Sequence, residues 1–113
     1  MKLIETSKYK RSLKKLINKH LNKELDIIDI IKNQIYLSNN MDELMRSSVK
    51  YKFNIEQKKG DMKELFTARL NGHVRLIMKP CGKYPYNLIE IVEIEFIDIN
   101  EKHYKEWYYD YNR

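Results

Sequence analysis

The sequence predicts an α+β domain: N-terminal helices packed on a four-stranded antiparallel sheet, closed by a short C-terminal helix. Three observations lead there. Apolar residues recur at helical spacing through the first 46 residues. The period changes to two from Lys50 onward. All three glycines and both prolines fall in the second half of the chain, where turns between strands require them. No repeat, low-complexity run or Pro/Gly/Ser-rich linker divides the 113 residues, so residues 1–113 read as one domain with one core.

The first helix is expected over residues 7–21. Tyr9, Leu13, Leu16, Ile17 and Leu21 share one face, with Lys10, Arg11, Lys14, Lys15 and Lys19 around the rest. Leu25, Ile28, Ile31 and Ile35 carry a second stripe to about Leu37, where Ser38-Asn39-Asn40 breaks it. Asn40 followed by Glu43 resembles a capping box and predicts a short helix to about Arg46. Tyr51, Phe53 and Ile55 alternate with Lys52, Asn54 and Glu56 as in a half-buried strand. Gly60-Asp61 makes a turn. Residues 64–70 and 73–79 flank Asn71-Gly72, the dipeptide favoured in two-residue type I′ turns. Pro80 to Pro85 read as a loop, residues 88–97 as a long strand, and Tyr104, Trp107, Tyr108 and Tyr111 as one face of a terminal helix.

If the hairpin turn has two residues, positions whose numbers sum to 143 face one another. Ala68 then opposes Arg75 and Leu70 opposes His73. Arg69 points to the other face beside Val74, while Leu65, Thr67, Val74, Leu76 and Met78 turn toward the helices. Arg75 and His73 would form a shallow basic floor beside small Ala68.

The formal charge is +6 and unevenly spread. Residues 1–23 carry eight Lys/Arg and one Glu, and residues 50–83 carry nine basic and three acidic side chains. Two separate basic clusters are the footprint of a polyanion binder, although one basic helix face by itself also suits plain solvation. Cys81 is the single cysteine, which excludes an internal disulfide and a thiolate metal cluster. His20, His73 and His103 lie far apart and outside any metal-binding spacing, so neither metal nor cofactor is expected. No phosphate-binding glycine loop and no nucleophile elbow is present. No run approaches a membrane span, and residues 1–10 lack the apolar stretch of a secretory signal. These absences fit a cytoplasmic protein.

Lys59-Gly60-Asp61, the strand ending at Asn71-Gly72, and Val74-Arg75-Leu76-Ile77-Met78-Lys79-Pro80 together resemble the HigB-type toxins of the RelE/ParE superfamily. Residues 90–98, reading Glu-Ile-Val-Glu-Ile-Glu-Phe-Ile-Asp, resemble that family's last strand. The resemblance implies the toxin of a type II toxin–antitoxin system that cleaves mRNA on the ribosome and is held by a cognate antitoxin, commonly of helix-turn-helix type. It further implies that Lys59 binds phosphate or moves a proton, that Arg75 stabilises transition-state charge, and that Asp98 belongs to the site. Lys10, Arg11, Lys14, Lys15, Lys58 and Lys79 would contact RNA or the ribosome. After Asp98 the family carries Tyr-His, whereas this chain has Ile99 and Asn100, neither able to act as an acid or base. His73, His103 or Tyr104 would have to supply that function. The departure leaves a second expectation open, a ParE-like toxin that inhibits DNA gyrase by binding, and a third, an RNA-binding homologue of weak catalytic power.

Overall fold

The computed structural model describes residues 1–102 and 104–112. In chain order the elements are β1 (Lys2–Glu5), α1 (Ser7–Asn18), α2 (Asn22–Leu37), α3 (Met41–Met45), α4 (Ser48–Lys52), β2 (Glu56–Gln57), a 3₁₀ turn (Gly60–Met62), β3 (Phe66–Arg69), β4 (Arg75–Pro80), β5 (Glu93–Asn100) and α5 (Tyr104–Tyr111). The α+β class expected from the sequence is present, with five strands in place of four, in the order β1-β5-β4-β3-β2. The added strand is β1, which pairs in parallel with β5 while the other pairings are antiparallel. Four residues are too few to show a period, and their partner lies about 90 positions away.

The helical stripes fold as their spacing dictates. Tyr9 and Leu16 of α1 and Ile27, Ile28, Ile31 and Ile35 of α2 are buried against Phe66, Ala68, Leu76, Met78, Ile94, Phe96 and Ile99 of the sheet. Thr6 caps α1 through its side chain and also donates to the carbonyls of Phe96 and Ile97, tying the helix start to β5. Asn40 caps α3 by accepting from the Glu43 amide at 2.9 Å, while Glu43 reaches back to the Asn39 amide at 3.0 Å.

Two expectations fail. Residues 48–52 form one helical turn where a strand was expected, with only Glu56–Gln57 pairing as a strand. Ser47 accepts from the Lys50 amide and starts that turn, which carries Tyr51 into solvent while Phe53 and Ile55 stay buried. The central hairpin is the second failure. Its register pairs residues that sum to 144: Phe66 with Met78, Thr67 with Ile77, Ala68 with Leu76 and Arg69 with Arg75. Neither Asn71 nor Gly72 has positive φ, so no type I′ turn forms. The Asn71 Oδ1 instead accepts from the amides of His73 (2.7 Å) and Val74 (2.8 Å), making a three-residue loop closed by the Leu70 amide on the Val74 carbonyl at 3.0 Å.

A one-residue slip exchanges faces. Ala68 therefore lies opposite Leu76 in the helix-facing core, not beside Arg75, and Leu70 closes on Val74 and not on His73. Thr67 and Leu65 leave the helix face, and Arg69 joins Arg75 on the face that α1 and α2 do not cover. The loop after β4 runs from Cys81 to Val92, so the last strand starts at Glu93, later than its sequence pattern suggested.

Candidate functional site

The open face of the sheet reads as rows across the strands. One row is Asn100, Arg75 and Arg69; the next is Asp98, Ile77, Thr67 and Glu56. Leu65, Ile77 and Ile97 of this face, with Met62, pack against Trp107 of α5, flanked by Tyr104, Tyr108 and Tyr111. The terminal helix thus covers one part of the face and leaves the arginine row beside it.

Arg75 is half-buried, and its Nη1 donates to the carbonyls of Asn71 (2.5 Å) and Val74 (3.2 Å). These bonds orient the guanidinium, since the loop that supplies them is fixed in turn: Asn71 Nδ2 donates to Glu24 Oε2 of α2 at 2.8 Å. That hydrogen bond holds the Glu24 carboxyl below its ordinary range. Arg69 stands directly across from Arg75 and is exposed. Among the described residues neither arginine has a carboxylate within ion-pair distance. Like charges directly opposite on adjacent strands destabilise a sheet. This pair offers positive charge that an anion could offset.

The other expected residues are distributed less evenly. His73 is exposed at the loop, two residues before Arg75. Lys59 is exposed just past β2, at the N-terminal boundary of the 3₁₀ turn, and is separated from Arg75 by β3. Lys58 points to the open face: its amine lies 4.2 Å from the centre of the Tyr104 ring and 3.3 Å from Glu56 Oε1. Lys79 is half-buried, opposite Glu95 at the far end of the sheet. Lys10, Arg11, Lys14 and Lys15 are all exposed on α1. His103 lies outside the described residues.

Asp98 occupies the row beside Arg75 but is buried, and its oxygens are taken. Oδ1 accepts from Ser12 Oγ (2.5 Å) and the Ile99 amide (2.8 Å), and Oδ2 accepts from Trp107 Nε1 (2.6 Å). It joins α1, β5 and α5 through these three bonds. Ile99 is core, and the Asn100 side chain bonds the amide and carbonyl of Lys102 at 2.8 Å each. Sequence reasoning missed Arg69, which the wrong register turned away, and Glu56, an exposed carboxylate in the neighbouring row. The signal for Arg69 was the Asn71 side chain, whose preference for local acceptor bonds sets the β3–β4 register.

The fold built around this face has known counterparts. A YoeB/ParE toxin from Agrobacterium tumefaciens superposes with a TM-score of 0.54 at 17% identity, over 91% of this chain and 100% of that one. A copper-bound mutant toxin from Helicobacter pylori superposes with a TM-score of 0.57 at 15% identity, over 93% of this chain and 97% of that one. The chain has the fold of the YoeB/ParE-type toxins. No family model and no curated protein matches the sequence. Among the described residues no group of three or more His, Cys, Asp or Glu side chains is arranged to hold a metal ion. Burial, and then the neighbouring Glu95 and Glu93 carboxylates, push the Cys81 thiol up to about 11, so at neutral pH it is protonated. No helix among the described residues is long and apolar enough to cross a membrane.

Proposed function

We propose that this protein is the toxin of a type II toxin–antitoxin system, a HigB/RelE-like endoribonuclease that cleaves mRNA on the ribosome in the cytoplasm and is held by a cognate antitoxin of helix-turn-helix type. One observation carries the reading: the unneutralised cross-strand pair Arg69–Arg75 on an open sheet face, with Arg75 pinned by two carbonyls. The fold shared with YoeB/ParE-type toxins supports it.

In the reaction, the ribose 2′-oxygen attacks the adjacent phosphorus, the bond from phosphorus to the 5′-oxygen breaks, and a 2′,3′-cyclic phosphate forms. Arg75 and Arg69 stabilise the negative charge that builds on the non-bridging oxygens, a role worth about 10²–10³-fold in rate for one donor. Glu56 takes the 2′-hydroxyl proton, and His73 returns a proton to the departing 5′-oxygen. Lys59 adds positive charge at the edge of the face. Asp98 stands outside the reacting set as the residue that seats α5.

Induced alone, the protein should arrest growth and leave mRNA cut within codons only when ribosomes are present. Intact transcripts beside stalled DNA replication would overturn the nuclease in favour of a gyrase-binding toxin. That second reading has its own observation: Ile99 is buried and Asn100 is occupied by Lys102, so the strand end after Asp98 offers no acid or base.

A further inference from the structure

On the other side of β5, beyond the short β1, α1 and α5 enclose a cleft of about 320 Å³. Lys8, Arg11 and Lys15 line it along one stripe of α1, and Lys102, Asn100 and Trp107 face them. The structure thereby sorts the basic helix. Lys8, Arg11 and Lys15 recur at i, i+3 and i+7 and look into the cleft along roughly 10 Å of helix, whereas Lys10 and Lys14 do not line it.

Four cations (Lys8, Arg11, Lys15 and Lys102) and three carboxylates (Asp98, Glu101 and Asp110) line the cleft, a small positive excess. Glu101 is paired with Lys19 at 2.7 Å and Asp110 with Lys102 at 3.6 Å, and the Asp98 oxygens are held by three donors. Among the described residues, Lys8, Arg11 and Lys15 have no carboxylate within ion-pair distance. Lys8 lies over the Trp107 and Tyr111 rings at 5.8 and 5.6 Å, which holds one end of the stripe in place. The cleft also joins the sheet face: Asn100 lines it and is the register partner of Arg75.

We infer that the α1–α5 cleft binds the phosphodiester backbone of single-stranded RNA, holding the nucleotides that flank a phosphate seated at Arg69–Arg75. The inference rests on the reading that the open face receives RNA. It adds a second, separate subsite in which Arg11 and Lys15 are the principal cations. A linear row of cations suits a chain with regularly spaced charge, and the guanidinium of Arg11 matches two phosphate oxygens at once. An acidic polypeptide is the competing occupant. Continuity with the arginine row favours RNA.

Trp107 is the single tryptophan of the chain and a wall of the cleft, so its emission reports local occupancy. A fluorescein-labelled 12-mer oligouridine, titrated into the full-length protein, should change Trp107 emission and polarisation with the same midpoint. The double variant Arg11→Ala/Lys15→Ala should bind about tenfold more weakly and lower the slope of log affinity against log salt by roughly 1.4. Lys10→Ala/Lys14→Ala should change both far less. All four side chains are exposed, and unchanged melting temperatures verify that both variants fold. An oligouridine that does not bind, that binds with flat Trp107 emission, or that is weakened equally by both double variants overturns the inference. A polyglutamate of equal charge that binds more tightly than the RNA assigns the cleft to a protein partner and overturns it too. Loss of ribosome-dependent cleavage with an intact Trp107 response would instead refute the nuclease reading and leave the cleft standing.

Discussion

The two flanks of β4 treat charge in opposite ways. Toward β5, the Asp98 carboxylate is buried and satisfied by three donors from α1, α5 and its own strand. Toward β3, Arg69 and Arg75 face each other with no counter-charge among the described residues, and carbonyls engage one nitrogen of Arg75. Likeness to a family placed Arg75 and Asp98 in a common site, and their surroundings separate them. A charge whose every bond is made contributes to folding, whereas a charge left unpaired beside its like is available to a ligand.

Removing the satisfied charge should have the largest effect on stability. Asp98→Ala strands the Trp107 N–H, the Ser12 hydroxyl and the Ile99 amide, and should cost about 3–5 kcal/mol in urea unfolding followed by Trp107 emission. Arg75→Ala is the counterpart. It should lower ribosome-dependent cleavage by about 10²–10³-fold while changing stability by less than about 1 kcal/mol. If Asp98→Ala stayed stable and Arg75→Ala unfolded the protein, the contrast between the two flanks would be reversed.

Arg69→Glu tests the same contrast by sign. It converts a repulsive cross-strand pair into an attractive one and should raise stability by about 0.5 kcal/mol. The same change places a carboxylate where phosphate is to sit and should abolish cleavage. A variant that is both less stable and fully active would remove Arg69 from the site.

Much of this arrangement was legible in the sequence, and the failures share a cause. The stripes of α1 and α2, the Asn40 cap and the aromatic face of α5 follow from local periodicity, which three-dimensional packing only reinforces. At Tyr51, Phe53 and Ile55 a true alternation of two was overridden by one side chain, the Ser47 cap, which started a helical turn. At Asn71-Gly72 the side chain of Asn71 again decided, accepting two amides and shifting the register that sorts Arg69. The bonds that hold Asp98 were not legible, because one of its donors, Ser12, lies 86 residues away and no spacing rule connects them. Ser47→Ala should accordingly cost only about 1 kcal/mol, as the loss of one helix cap, and its urea midpoint measures how firmly that turn is held.

The smallest effect is the most specific to the hairpin. Asn71 both shapes the loop and donates to Glu24, and that donation is the main reason the Glu24 carboxyl lies below its ordinary value of 4.5. Because the folded value is lowered, the linked stability is fully present above pH 4.5 and is lost as the pH falls through the lowered value. Asn71→Ala should therefore separate from wild type by more at pH 7 than at pH 3 in urea midpoints, with a remainder at acid pH from the lost loop bonds. Glu24→Gln keeps an acceptor for Asn71 without a titrating group, so its pH profile should be flatter than wild type over the same range. A gap between Asn71→Ala and wild type that stays constant with pH would mean that Glu24 does not hold the loop, and the fixed orientation of Arg75 would then rest on the His73 and Val74 amides alone.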